Sequence, residues 1–300
     1  MVKVLAVLVL AVLQMTPAAD FVVVDEATFK KIFPAGAKVE RLATNLKFVE
    51  GPAWHVDGFL IFSDIPANEL KRWDRTTGVT TYRAGSNNAN GNSFDREGRL
   101  LTAEHSSHRI SRTARDGTVE TLVDQFEGKP LNSPNDVIAR SDGSIWFTDP
   151  AYGLGPRKKE QAGNYVYRFD PRTKALTAVM RDFDQPNGLC FSPDESQLYV
   201  ADSGKPRHIR VFAVKGETVS GGDVFATLDK GAPDGIRCDR AGRVWASSGD
   251  GAQVFGADGR LIARILLPEA GANLTFGGSE GTTLFITART SLYAVETLTR

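Results

Sequence analysis

The chain has 300 residues, with 36 Lys and Arg against 36 Asp and Glu, and so a formal net charge of zero near neutral pH. That balance, with no basic block longer than Arg157-Lys158-Lys159, excludes an electrostatic grip on nucleic acid or on an anionic membrane. Two cysteines in the whole chain exclude a disulfide-stapled scaffold and a thiolate metal cluster.

Residues 1–19 carry Lys3, an apolar run over 4–13, and then Thr16-Pro17-Ala18-Ala19, small residues suited to cleavage. This is the pattern of a secretory signal peptide, and the apolar run is too short to span a bilayer. The expectation is an exported chain, periplasmic or secreted. Residues 20–37 read as an N-terminal segment with a short helix over 25–33, and residues 38–300 as one domain. Val39–Ala43 is a lone β-like run with no adjacent partner.

From Glu50 onward one unit recurs. A polar residue opens an apolar run, a turn follows, and a second apolar run ends on an acid. In the third copy, Asn135-Asp136 leads through the Asp142-Gly143 turn to SIWFT and Asp149. Asp-Gly between two β-rich runs marks a hairpin, because Gly takes φ > 0 at low cost. The first copy runs from Glu50-Gly51 through Asp57-Gly58 to Asp64, and the second from Asn90-Gly91 through Glu97-Gly98 to Glu104-His105. The fourth runs from Asn187-Gly188 to Asp202, the fifth from Asp234-Gly235 through Ala241-Gly242 to VWASS, and the sixth from Asn273 through Gly281 to TLFITA. Each copy continues into two more short β-like runs, such as NYVYRFD and LTAVM in the third.

Four short strands per roughly 40–50 residues is the signature of a propeller blade. Six copies predict an all-β fold, a six-bladed β-propeller with four-stranded blades. The last copy has only three runs, ending at SLYAVE. Val39–Ala43 is expected to supply its outer strand, so that the N-terminal strand closes the sixth blade and leaves no bare edge.

With strands A to D numbered from the axis outward, the A–B turn returns strand B to the level where A began. Two nested sets then meet at one mouth. The inner ring is Glu50, Asn90, Asn135, Asn187, Asp234 and Asn273; around it lie Asp64, Glu104, His105, Asp149 and Asp202. Oxygen donors without Cys or His at the axis suit a hard divalent cation, Ca²⁺ first, Mg²⁺ or Mn²⁺ second; Zn²⁺ more usually takes His or Cys. The alternative is that Asn and Asp before Gly are simply good turn residues.

EGPAW with FSDIP, SPNDV with FTDP and YG, QPNGL with YVADS, PDGI, and a late FGG together resemble the SMP-30/gluconolactonase/LRE-like family over about residues 35–296. The SPNDV and FTDP motifs look like its bacterial gluconolactonase-type branch. The resemblance implies a six-bladed propeller and one divalent cation held by Glu50, Asn135, Asn187 and Asp234. It implies metal-dependent opening of a sugar-acid or related lactone, with Asp234 as general base or, alternatively, as direct nucleophile. His105 and Glu104 are expected to move protons, and Asp136, Tyr152 and Asn90 to bind the substrate. Close animal members carry an Arg two residues before the third-blade asparagine; here that position is Ser133, so their sugar-gripping pattern is not carried over. A small-molecule lactone is the expected partner, with no nucleic acid and no membrane, on a monomer or weak oligomer. The rival readings are a non-catalytic ligand-binding propeller, a hydrolase of a non-sugar lactone or organophosphate on the same site, and a metal-free condensing enzyme of the related plant type.

Other signals are weaker. Gly277-Gly278-Ser279-Glu280-Gly281 matches G-x-S-x-G, but a nucleophile elbow needs a strand-to-helix turn and this motif falls on a strand–strand hairpin. His55 and His208 are expected in solvent. Trp54, Trp146 and Trp245 are expected to pack between blades. Cys190 and Cys238 are expected as two thiols rather than a bridge.

Overall fold

The computed structural model describes residues 20–300. The expected signal peptide, residues 1–19, lies outside the described residues. Among those residues no helix is long and apolar enough to cross a membrane.

Six antiparallel sheets follow one another along the chain, each with its strands in A-B-C-D order. The first blade is Val49–His55, Phe59–Asp64, Glu69–Asp74 and Gly78–Ala84. The third and fifth begin with A strands of only three residues, Val137–Ala139 and Ile236–Cys238. In the sixth, Val39–Ala43 pairs antiparallel with Ser291–Glu296, Val39 opposite Val295 and Ala43 opposite Leu292. The ring is therefore closed by the N-terminal strand, as the three-run last repeat requires.

Three strands have no counterpart in the repeat: Gln125–Phe126 and Lys129–Pro130, which pair as a two-stranded ribbon after the second blade, and Phe21–Val23. Phe21–Val23 pairs with Leu261–Leu266 and gives the fifth blade a fifth strand. A helix, Glu26–Ile32, follows, capped by Asp25, whose side chain accepts from Thr28 N at 3.1 Å and so satisfies one free N–H of the first turn. Ile32 and Phe33, at its end, are buried against Trp245 between blades five and six.

The six hydrophobic clusters lie at the six seams between neighbouring blades. Trp146 packs with Leu189 and Leu198 between blades three and four, and Trp245 with Leu274 and Leu284 between five and six. Both indoles are fully buried, and Trp54 stacks on Phe285 at 5.2 Å, in keeping with the packing expected of them. The seam between blades one and two is the exception. Its apolar cluster is Ile61, Leu70, Ala89 and Leu100, and polar groups fill the rest. Asn92 Nδ2 donates to Gly51 O, Ser63 Oγ and Asn90 O at 2.9–3.0 Å, and Thr102 Oγ1 donates to Asn92 Oδ1 at 3.0 Å. Cys190 and Cys238 are free thiols. His55, expected in solvent, stacks on Phe59 at 4.6 Å.

Candidate active site at the axial mouth

The inner-ring residues owe their direction to broken pairing. The A–B ladder shifts register between Glu50 and Ala53, between Ala89 and Asn92, and between Pro186 and Leu189. Such bulges twist a strand locally and re-aim its side chains. In blades three and five, Asn135 and Asp234 precede the regular strand altogether. The start of each A strand also presses on its neighbour. Gly188 N donates to Asp234 O at 3.0 Å, and a Cβ on Gly188 would stand 2.4 Å from that oxygen. Gly51 combines φ of +53° with a would-be Cβ 2.1 Å from Asn90 O. The glycine after the polar residue therefore serves close backbone approach at the axis, not a turn.

Glu50, Asn90, Asn135 and Asn187 are buried here, and Asp234 is partly buried beside them. Asp136 joins them. It is 2% exposed, and both its oxygens accept from Asn273 Nδ2 at 3.1 Å. That places Asp136, expected to bind the substrate, inside the axial cluster against Asn273. Burial first, then the charges of Asp234 and Asp136, hold Glu50 well above the usual carboxylate range, against a 2.6 Å bond from Gly51 N. Burial and the Asp136 charge push Asp234 up to about 7, against a hydrogen bond from Asn187. Burial raises Asp136 too, opposed by the Arg237 guanidinium and by Asn273. Arg237 follows Asp234 by three residues, on the short strand Ile236–Cys238; with the strand only three residues long, its direction was not legible from spacing.

Three carboxylates lie together with one guanidinium, Arg237, bearing on Asp136, so ionising all three leaves two negative charges uncompensated. Asn187 Oδ1 and Asn90 Oδ1 are buried without a protein partner. A buried oxygen left unpaired is costly, so these atoms are poised for a ligand. Among the described residues no three His, Cys, Asp or Glu side chains form a metal cluster by themselves; the axial set mixes carboxylates with amides. It fits a hard divalent cation held by Glu50, Asn135, Asn187 and Asp234.

The outer acids are not part of this set. Asp64 accepts from Lys47 N and Phe48 N at 3.1 and 3.2 Å, Asp149 from Asn132 N and Ser133 N at 2.8 Å, and Asp202 from Asp184 N and Gln185 N at 3.0 and 2.9 Å. Each ties the end of strand B to the segment leading into its own strand A. Asp149 does so although burial pushes its carboxyl up to about 7. Glu104 is a variant on the same position. Arg83 and Arg109 meet it at 3.0 and 2.7 Å, and Asn87, Ser107 and Ser111 also donate to it. Burial alone would raise its carboxyl, but bonds from Arg109, Ser107, Ser111 and Asn87 outweigh that and hold it below the usual range. A carboxylate with every oxygen occupied has no free lone pair for a reacting proton, so the expected catalytic role of Glu104 does not fit its position.

His105 does reach the mouth. Its Nε2 lies 3.2 Å from Asn90 Nδ2, and burial, with the Arg157 cation nearby, pushes the imidazole down to about 4. It is neutral at physiological pH. Tyr152, 48% exposed in a short 3-10 turn, Tyr152–Leu154, lies near Ser203 at the mouth; burial, with nearby acids, pushes its phenol up to about 12, so it stays a donor. Ser203 Oγ in turn donates to Pro233 O, beside Asp234. Ser133 is spent on the loop, donating to Pro150 O and accepting from Gly153 N. A cleft lined by Trp54, Trp73, Arg72 and Phe285 lies on the opposite face, between blades one and six, and includes none of these residues. The G-x-S-x-G run there joins Asn273–Gly277 to Thr283–Ala288, two strands with no helix between them.

A closed ring of six four-stranded blades around a buried, oxygen-lined axial cluster defines the class: a six-bladed propeller with its site on the axis. The chain belongs to the SMP-30/gluconolactonase/LRE-like family, whose model matches residues 48–290. It is 30% identical over 302 residues to a gluconolactonase of Zymomonas mobilis, covering 89% of this chain and 83% of that protein. A pentonolactonase of Haloferax volcanii is 29% identical, with 81% and 82% covered. A solved gluconolactonase structure from Xanthomonas campestris superimposes with a TM-score of 0.89 at 34% identity, covering 94% of this chain and 96% of that one.

Proposed function

We propose that this protein is a divalent-metal-dependent lactone hydrolase that opens the ring of a sugar-acid or related lactone. The supporting observation is the charge deficit at the axis. Glu50, Asp136 and Asp234 lie together against Arg237 alone, beside an unpartnered Asn187 Oδ1. Like charges this close hold protons or a cation. Ca²⁺ fits the all-oxygen set best, with Mg²⁺, Mn²⁺ or Zn²⁺ as substitutes. When bound, the cation supplies Lewis-acid polarisation of the ester carbonyl.

The chain's own residues do the rest. Asp234, with its carboxyl drawn toward neutrality, takes the proton of the attacking water as general base. Asn135 and Asn187 hold the cation without adding charge. Asn90, His105 and Tyr152 offer uncharged donors and acceptors to the lactone hydroxyls. Asp136, fixed by Asn273, adds a negative charge beneath the site and raises the basicity of Glu50 and Asp234. The lactonase relatives support the reaction class. The test is a panel of sugar and non-sugar lactones on chelator-stripped protein reloaded with each cation. Metal-restored turnover on a sugar lactone supports the reading; tight metal with no turnover on any lactone overturns it in favour of a binding propeller.

A further inference from the structure

The loop between the second and third strands of blade three, residues 151–163, touches the mouth twice. Gly153 lies flat against the His105 imidazole. A Cβ there would stand 2.3 Å from His105 Cγ and 2.4 Å from Nδ1, so any side chain would displace the ring. Four residues on, Arg157 turns back across the same ground. Its Nη2 donates to His105 O and to Asn132 O, each at 3.2 Å, and its Nη1 meets the His108 ring. That contact is to His108 Nδ1, which also lies 2.9 Å from Leu131 O and either accepts from Arg157 or donates to the carbonyl. One guanidinium thus joins three segments: the second-blade loop with His105 and His108, the lead-in to Asn135, and its own loop. Its donors go to carbonyls and a ring nitrogen, which makes it a bracket rather than an ion pair.

We propose that Arg157 is a positioning residue for the mouth: by gripping the His105 and Asn132 carbonyls it seats Gly153 on the imidazole and holds His105 against Asn90. The pair then presents one fixed hydrogen-bonding edge, with the unpartnered Asn90 Oδ1 as its free acceptor for a lactone hydroxyl. The substrate in that statement rests on the lactonase reading; the bracket does not. Misplacement of a binding edge by about 1 Å is enough to cost on the order of 10²-fold in rate.

The groups around His105 are few. Arg157 is the cation that bears on it from the blade-three loop, and Gly153 packs on its ring from the same loop. Asn90 faces it from the inner strand of blade two and is uncharged. Glu104, its neighbour in sequence, is turned into the Arg83 and Arg109 cluster, and the His108 ring sits on Arg157. Loss of Arg157 should therefore remove a positive charge and admit water together, and both effects raise the affinity of His105 for a proton.

The test compares the full-length wild type with Arg157→Ala, Arg157→Lys and Gly153→Ala, with His105→Gln to assign the resonance. The His105 ring protons are titrated by NMR. Kinetics are measured on glucono-lactone, with saturating Ca²⁺, over a pH series. The wild-type ring should titrate near 4. In Arg157→Ala it should move upward toward the ordinary value of about 6.5, with kcat/KM down by about 10- to 100-fold and its acid limb shifted in the same direction. Arg157→Lys, which keeps the charge but loses the fork, should recover the titration better than the rate. Gly153→Ala should lose rate without losing Ca²⁺ affinity. An unchanged His105 titration in Arg157→Ala, with a rate loss that only tracks melting temperature, would overturn the proposal. If the wild type turns over no lactone, the lactonase reading fails, and the titration still decides whether Arg157 holds the ring.

Discussion

The inner and outer rings of acids at this mouth use the same side chains at nearly the same level and do opposite things. Asp64 and Asp149 each accept two backbone N–H bonds and Asp202 three, and Glu104 is filled by two arginines, an asparagine and two serines. Glu50 and Asp136 are buried as well and Asp234 partly so, yet they face one another, with the Arg237 guanidinium bearing on Asp136. The outer acids hold the blades' leading segments in place. The inner ones are left with charge that the protein does not answer. Burial is common to both rings; what separates structure from chemistry is whether the lone pairs are occupied.

The sharpest way to break this contrast is Asp234→Asn, which keeps an oxygen in place and removes the base. Turnover should fall by about 10²–10⁴-fold even at saturating metal. Initial rates of lactone opening, corrected for spontaneous hydrolysis, check this; near wild-type turnover at saturating metal would make Asp234 a ligand only. Next in size is Glu104→Gln, which strands Arg83 and Arg109 at a buried position. Stability should drop by about 3–5 kcal/mol, while kcat below the melting transition stays within a few-fold. Because the Glu104 carboxyl is held below 4.5 in the folded chain, its stabilisation is complete above that pH. It is lost as pH falls through the lower folded value. The gap between wild type and Glu104→Gln in denaturant melts should therefore close in acid.

Glu50→Gln probes the inner ring by charge. It should weaken cation binding at least roughly 10-fold, and excess metal should restore most of the rate, unlike Asp234→Asn. Smallest is Asp64→Asn, which keeps one acceptor of the pair. It should cost about 1 kcal/mol of stability and leave turnover unchanged; a large kinetic loss there would erase the distinction between the rings.

The blades themselves were legible because the A–B hairpin repeats with nearly constant spacing, ten residues from Glu50 to Leu60 and from Asn135 to Ile145, eleven from Asn187 to Leu198. The three-run last repeat even located its missing strand at Val39–Ala43. Phe21–Val23 was not legible, since three apolar residues outside the repeat carry no period. Spacing also set the level of each acid but not its direction. Glu104 and Asp136 were assigned to chemistry and to substrate on level alone. The bulges at Glu50, Asn90 and Asn187 turn side chains inward, and Asp136 finds its partner in Asn273, 137 residues away. Neither fact is written in a local pattern.

The most direct test of the account is calorimetric titration of metal-stripped protein with Ca²⁺ at a pH below the raised Asp234 value of about 7. The account predicts one cation per chain, bound with release of protons to the buffer, and lost when Glu50→Gln and Asp234→Asn are combined. Absence of binding in a protein that still opens lactones in excess chelator, or binding that survives the double replacement, would contradict it.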